Sequence, residues 1–523
     1  MEVKNTAKAA FIIIMITLVS KVMGFIREMV IAAGFGASFY TDAYVVALTI
    51  PAILFASFSR ALQTTFIPIF NELLYQREKK EAFFFANSAL TVVLVIMLIL
   101  SGLAFLFMPQ ITNIIAPGFQ GEVHQLTVTL ARIMVSAGCI WGIVGIAGGM
   151  LNSFKIFGPP AAAGIIYNVF IIGTVLIFGS SLGIKGLALG TALGVAGQLM
   201  IQIPWLKRIG MTWRPHLRLH YAALRKMGRL MLPVLAASVV GQLNVVVDRL
   251  LASKLPEGSI AALNFANRLN GFALGVFVLA FVTVIFPALS QKAALGDDTG
   301  FQSLFLKGVR TIMFLTMPAI VIILVFRVPI IRLLFERGAF NSHDTIITAT
   351  AFLYYGVGLL ASGLREVINV AYFAVQDTRT PMFLGISCLM LNITLNLILI
   401  GPMAHGGLAL ATSLSVTAYT TITMILLYRK LKWKRSGELL VSLGKVVVAA
   451  GVMGLVMAAG NIMLDINRYQ SFMQQAISLG GLMVAGGGAY LGMAYALKID
   501  EIFMMFSLIN ERWQRIFRKE NRF

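Results

Sequence analysis

FIIIMITLVSKVMGFIREMVIAA, residues 11 to 33, decides the fold. As a helix the run is long enough to cross roughly 30 Å of hydrocarbon, yet it holds Lys21, Arg27 and Glu28. An ionisable side chain at bilayer depth costs about 2.5–3.5 kcal/mol on insertion scales, so it is retained where it faces a cavity, a partner or a substrate. At about 100° per residue, Thr17, Ser20, Lys21, Gly24, Arg27 and Glu28 fall within a sector of roughly 120°. One face is polar and cationic and the other is lipid-like. The pattern points to a polar chamber for an anionic ligand inside a membrane protein.

The rest of the chain agrees. Of 523 residues, 59% are hydrophobic and only 12% charged, about half the charge of an average soluble domain. Apolar stretches of span length recur from end to end, and the alternating strands of a membrane barrel are absent. The expected fold is an all-α polytopic membrane protein of about fourteen transmembrane helices. The formal net charge of +21 would suggest nucleic acid in a soluble protein. Here the bases cluster in short connections after even-numbered spans, such as Lys79-Lys80, Lys207 to Arg229 and Arg429 to Arg435. That is the positive-inside signal, and it places both termini in the cytoplasm. No zinc-knuckle, RNP or helix-turn-helix pattern competes, so no nucleic-acid partner is expected. Cys139 and Cys388 lie in apolar spans and read as small core residues. The first apolar run lacks a cleavage site and reads as a retained span.

An internal repeat organises these spans. KGLALGTALG (185–194) resembles GGLALATSLS (406–415), FGPPAAAGIIYNV (157–169) resembles TRTPMFLGISCLM (378–390), and FIPIFNEL (66–73) resembles IFPALSQK (285–292), all at an offset of about 220. Parallel repeats of this kind are a transporter design with the substrate site between the halves. Two parallel six-helix halves plus two appended C-terminal helices are therefore expected. The boundaries are 1–206 for spans 1–6, 207–227 for a basic amphipathic cytoplasmic linker, 228–430 for spans 7–12, 431–497 for spans 13 and 14, and 498–523 for a basic cytoplasmic tail. Linker and tail mix Arg and Lys with Trp, Phe and Leu, as interfacial helices on membrane lipids do.

Polar residues recur on single faces of other spans. In span 8, Asn264, Asn267, Arg268, Gly271 and Gly275 share a face, which suggests a cavity arginine; a snorkelling or paired Arg268 is the plainer alternative. In span 2, Asp42 and Arg60 are about eighteen residues apart, a whole number of turns in a straight helix, although Pro51 interrupts it. Asp42 could instead neutralise Lys21 or Arg27. Asp248 with Asn392, Asn396 and Thr412 supplies oxygen atoms of the kind that hold Na⁺, or a set of interhelical hydrogen bonds. Arg365 and Glu366, adjacent in span 10, either pair or line the cavity. HExxH, Walker A and nucleophile-elbow patterns are missing, and no catalytic residue is expected. The histidines fall in loops or at span ends.

SKVMGFIREMVIAAGFGASFYTDAYVVALTIP (20–51) closely resembles the N-terminal signature of the MurJ (MviN) lipid II flippases, within the multidrug/oligosaccharidyl-lipid/polysaccharide exporter superfamily. FIPIFNEL (66–73), APGF (116–119), QLNVVVDRLLASKLPEGSIAALNFANRL (242–269), FERGAF (335–340) and QDTRTP (376–381) extend the resemblance over essentially the whole chain. The resemblance implies a transporter, not an enzyme. Its cationic central cavity would bind the diphosphate and carboxylates of lipid II, the undecaprenyl-diphosphate-linked peptidoglycan precursor, with the lipid tail in a groove towards spans 13 and 14. By motif position the family's cavity arginines fall on Lys21, Arg27 and Arg268, its acidic partner on Glu28 and its span-2 aspartate on Asp42. Its Na⁺ site falls on Asp248, Asn392, Asn396, the Leu408 carbonyl and Thr412. Three departures stand out: Lys21 replaces an arginine, Ser59 followed by Arg60 replaces an acidic residue, and Asn396 replaces an aspartate.

The expected activity is translocation of lipid II from the inner to the outer leaflet of a bacterial inner or plasma membrane by alternating access, with Na⁺ as the candidate coupling ion, no other cofactor, and cell-wall synthesis proteins as candidate partners. The alternative is a flippase for another undecaprenyl-diphosphate-linked oligosaccharide. A drug/cation antiporter would carry cavity carboxylates, and a membrane glycosyltransferase or ligase would need catalytic groups in sizeable outward loops.

Overall fold

A computed structural model of the chain describes residues 2–76, 78–216, 221–275, 278, 280–433, 437–464 and 471–503. The basic tail expected at 498–523 therefore lies outside the described residues from 504 onward, as do positions 217–220 of the linker. Among the described residues there is no strand. The helices are α1 (Glu2–Phe35), α2 (Phe39–Pro51), α3 (Ser57–Gln76), α4 (Lys79–Leu106), α5 (Met108–Ile115), α6 (Gly121–Val135), α7 (Gly138–Ser153), α8 (Gly158–Met200), α9 (Ile203–Arg208), α10 (Ala222–Ala252), α11 (Ser259–Leu274), α12 (Ala280–Ala294), α13 (Asp298–Phe335), α14 (Ser342–Val357), α15 (Leu359–Ala374), α16 (Arg379–Lys430), α17 (Glu438–Leu464) and α18 (Phe472–Ala496).

Nine described helices are long and apolar enough to cross a membrane, and two bent pairs raise that to eleven. The 52-residue α16 counts once there although Ala404 breaks it, and α1 and the α11–α12 run are further span-length segments. The total is about fourteen, as hydropathy suggests.

The repeat is visible in the backbone. Gly183 interrupts α8 with φ 53°, ψ −139°, and Ala404 interrupts α16 with φ 47°, ψ −130°, at the same offset as the sequence matches. The ends of the even-numbered spans repeat as well. Ile156 N–H donates to Leu151 O, Met211 to Leu206, Asp297 to Lys292, Asp377 to Tyr372, Trp433 to Tyr428 and Ile499 to Ala494, all at 2.9–3.1 Å. The residue before each donor, namely Lys155, Gly210, Gly296, Gln376, Lys432 and Lys498, has positive φ. This is the Schellman helix end, whose left-handed residue satisfies orphan carbonyls. Lysine there also places a cation at the negative end of the helix dipole.

The chain divides into two compact units, 1–264 with 335–344, and 265–334 with 345–523. In the first, the glycines of GCIWGIVGIAGG (138–149) let α7 approach α3 and α4. A Cβ at Gly142 would come 2.6 Å from Val93, and one at Gly149 3.0 Å from Phe66. Close packing through small residues is what drives association where lipid supplies no hydrophobic force. Phe66 stacks on Phe70 and Phe85 at centroid distances of 5.1 and 5.2 Å. The segment 335–344 is pinned to the end of α1: Ala339 N–H donates to Ala33 O at 2.8 Å, and Ala37 and Asn341 N–H both donate to the Asp344 carboxylate. The start of the linker lies along α4, where Asn87 clasps it by donating to Thr212 O and accepting from Arg214 N–H.

In the second unit α12, α13, α15 and α16 bury Phe305, Ile312, Val367 and Tyr372. Tyr372 donates to Thr423 O at 2.9 Å. The appended hairpin α17–α18 is fastened to α13 by the buried Tyr490 hydroxyl, which donates to Phe314 O at 2.9 Å. Cys139 and Cys388 are free.

Candidate functional site

The Arg27–Glu28 end of the polar face of α1 is buried, with Arg27 against the first half of α8. Arg27 is 9% exposed and Glu28 4%. One Arg27 Nη donates to Glu28 Oε1 and the other to Asn168 Oδ1 at 3.1 Å, while the guanidinium lies 5.9 Å from the Tyr167 ring centroid. Asn168 is held in turn, its amide donating to Gly164 O at 2.9 Å and Ser20 O at 3.3 Å. The second Glu28 oxygen accepts from Asn264 at 3.3 Å, and the Tyr44 and Thr191 hydroxyls hydrogen-bond at 2.8 Å. Arg27 Nε is buried with no hydrogen-bond partner among the described residues. The result is a buried ion pair inside a span, with a spare N–H donor on Arg27 Nε. Lys21, two turns earlier, is half-buried.

Asp42 is 3% exposed, and its two oxygens accept from Gly258 and Ala261 N–H, each at 2.7 Å. It caps the N-terminus of α11, satisfying amides that a helix start leaves without acceptors. The partners found for Asp42 are thus backbone amides and not Lys21 or Arg27. Arg60 is exposed. Between it and Asp42 the chain takes a π-helical turn, Ala52–Ala56, which shifts the phase of the helix, so even spacing from Asp42 does not put the two side chains on one face.

In the second unit Arg268 and Asn267 are exposed on α11, and a Cβ at Gly271 would meet nothing within 4 Å. Asn264, on the same expected face, is half-buried and donates to Glu28. Arg365 and Glu366 pair at 3.2 Å, and Asn369 accepts from Tyr419 at 2.7 Å. Asn392, Asn396 and Thr412 come together: Asn396 donates to Asn392 Oδ1 at 3.0 Å, Asn392 to Thr412 Oγ1 at 3.4 Å, and Thr412 to Leu408 O at 3.0 Å. Both asparagines are buried. Asp248 lies half-buried on α10 of the first unit. The hydroxyl, amide and carbonyl oxygens gathered here suit a hard monovalent cation.

Asn168, Tyr167, Tyr44 and Thr191 were not among the expected site residues. Asn168 alone carried a signal, an isolated amide in an otherwise apolar span.

The family model for "Lipid II flippase MurJ" matches residues 31–476. A probable lipid II flippase MurJ of Rickettsia prowazekii is 28% identical over 94% of this chain and 98% of its own. The lipid II flippase MurJ of Burkholderia cenocepacia is 29% identical over 78% and 81%. Among solved structures, a lipid II flippase MurJ in an inward closed conformation superposes with a TM-score of 0.76 at 24% identity, covering 92% of this chain and 98% of that one. An inward-facing MATE multidrug transporter of the MOP superfamily reaches 0.68 at 12% identity. The fold is that of these transporters, and the chain belongs to the lipid II flippase MurJ family.

Proposed function

We propose that this inner-membrane transporter carries lipid II from the inner to the outer leaflet by alternating access, and that the α1 cations grip its diphosphate. The observation that carries the reading is the buried Arg27–Glu28 pair. Glu28 holds the guanidinium in place of an anion, and Arg27 Nε has no hydrogen-bond partner among the described residues. An arriving phosphate would accept from Arg27 through two parallel charge-assisted hydrogen bonds, leaving Glu28 with its Asn264 contact. Such contacts are worth about 1.5–3 kcal/mol each, enough to hold a headgroup and weak enough to release it. Lys21, on the same helix, would add charge without the same fixed geometry, and Arg268 is proposed as a further cation for the headgroup. The Asn392–Asn396–Thr412 cluster with the Leu408 carbonyl is proposed to hold Na⁺. Basic connections after even-numbered spans favour cytoplasmic termini.

Expression in a strain depleted of its own flippase tests the activity. Growth and outer-leaflet lipid II should both be restored. A normally inserted protein that restores neither would contradict the reading.

A further inference from the structure

Asn168, on the first half of α8, is 5% exposed, and its whole side-chain amide is committed. Nδ2 carries two hydrogens. They go to Gly164 O on its own helix at 2.9 Å and to Ser20 O on α1 at 3.3 Å. Two carbonyls on the nitrogen settle which way the amide faces, and Oδ1 is turned to Arg27 Nη1 at 3.1 Å. One side chain of α8 thus ties together two points of α1, Ser20 and Arg27, about two turns apart. The helices approach closely enough for this because Gly164 has no side chain: a Cβ there would lie 2.4 Å from Ser20 Oγ.

The guanidinium is bounded on its other sides as well. Its second Nη donates to Glu28, and the ring of Tyr167, next to Asn168 in sequence, lies 5.9 Å away. With both Nη atoms engaged, the donor left without a partner among the described residues is Nε. The two Nη partners differ in kind. Glu28 is a charge and competes with an anionic ligand for the guanidinium. Asn168 is a neutral acceptor, which orients the guanidinium without cancelling its charge. A second carboxylate in its place would turn a balanced pair into a net negative cluster and repel a phosphate.

We propose that Asn168 is a positioning residue for the headgroup diphosphate. It acts through Arg27, fixing the guanidinium against α8 and serving as a neutral acceptor that leaves the positive charge for the phosphate. The inference rests on the reading that Arg27 grips lipid II, and it names the residue that sets that grip.

Titration of the purified full chain with lipid II in detergent, read as Kd, tests this with a double-mutant cycle. Asn168→Ala should weaken binding by about tenfold or more, the usual worth of a hydrogen bond to a charged group. Asn168→Asp should weaken it further, because its carboxylate competes with the phosphate for Arg27. This variant matches asparagine in shape and keeps the test open if the alanine variant does not fold. In an Arg27→Ala background neither change should matter, the signature of a residue that acts through another. A purely structural asparagine would add its own loss in both backgrounds. Wild-type affinity in Asn168→Ala or Asn168→Asp, or a loss that adds to that of Arg27→Ala, would overturn the proposal and leave the transport reading standing. A wild-type chain that binds no lipid II, or binding that Arg27→Ala leaves intact, would remove the Arg27 grip and this inference with it.

Discussion

Arg27 and Glu28 are buried together, but losing one is not equivalent to losing the other. A carboxyl left alone can take up a proton and become neutral, whereas a guanidinium cannot shed one. Breaking a buried pair by removing one partner costs about 3–5 kcal/mol. Glu28→Ala should therefore carry that full cost and lower the melting temperature well below that of Arg27→Ala. Thermal unfolding of the two purified variants checks the order. At this scale the sequence announced the charges and not their partners. The face holding Arg27 followed from helical periodicity alone. Asn168 supplies the long-range hydrogen bond from a helix about 140 residues away in sequence, which periodicity within one helix cannot reach. Asp42 stood out as ionisable, and its acceptance from Gly258 and Ala261 N–H rests on a tertiary approach with no local sequence signature.

Elements carry the repeat, and its two copies differ in strain. Gly183 and Ala404 hold nearly the same positive-φ break, which only glycine accepts freely. Replacing Ala404 by Gly should stabilise the protein by about 1 kcal/mol, and Gly183→Ala should destabilise it by about 1–3 kcal/mol. Opposite shifts in melting temperature check this pair, and shifts of the same sign would contradict it. Sequence similarity gave the offset but not the kink, because alanine in the second copy hides the glycine signature. The π-helical turn after Pro51 was hidden likewise: the proline marks a disturbance without stating its type.

The cap of α16 is pH-sensitive in a defined direction. Burial works to raise the Asp377 carboxyl, but hydrogen bonds from Lys430 and from the Thr380 amide and hydroxyl outweigh it and hold the group at about 2, below its ordinary 3.8. The group is held down in the folded state, so its contribution is present above about pH 4 and lost as pH falls towards 2. The stability gap between wild type and Asp377→Asn should narrow as unfolding is measured from pH 5 towards pH 3, by the linkage rule. A gap that widens on acidification would contradict the assignment.

For the whole molecule, hydropathy and charge placement made the class legible: about fourteen spans and basic ends on even-numbered connections. The assembly of a site from distant spans was legible only through the family signature, because composition says nothing about which helices meet. Orientation is open to direct test. A cysteine at Gly437, on a basic connection, should resist an impermeant thiol reagent in intact cells, and one at Gln120, exposed between α5 and α6, should react; the reverse pattern would invert the topology.

The most direct test of the central claim, that cations of the helices hold the diphosphate of lipid II, is outer-leaflet lipid II accessibility in flippase-depleted cells expressing Arg27 and Arg268 variants at matched membrane levels. Arg27→Ala should abolish lipid II exposure, and Arg268→Ala should reduce it. Arg27→Lys should retain only a small part, because an ammonium keeps the charge and loses the two-pronged geometry. Wild-type exposure by the Arg27→Ala, Arg268→Ala double variant would contradict the account.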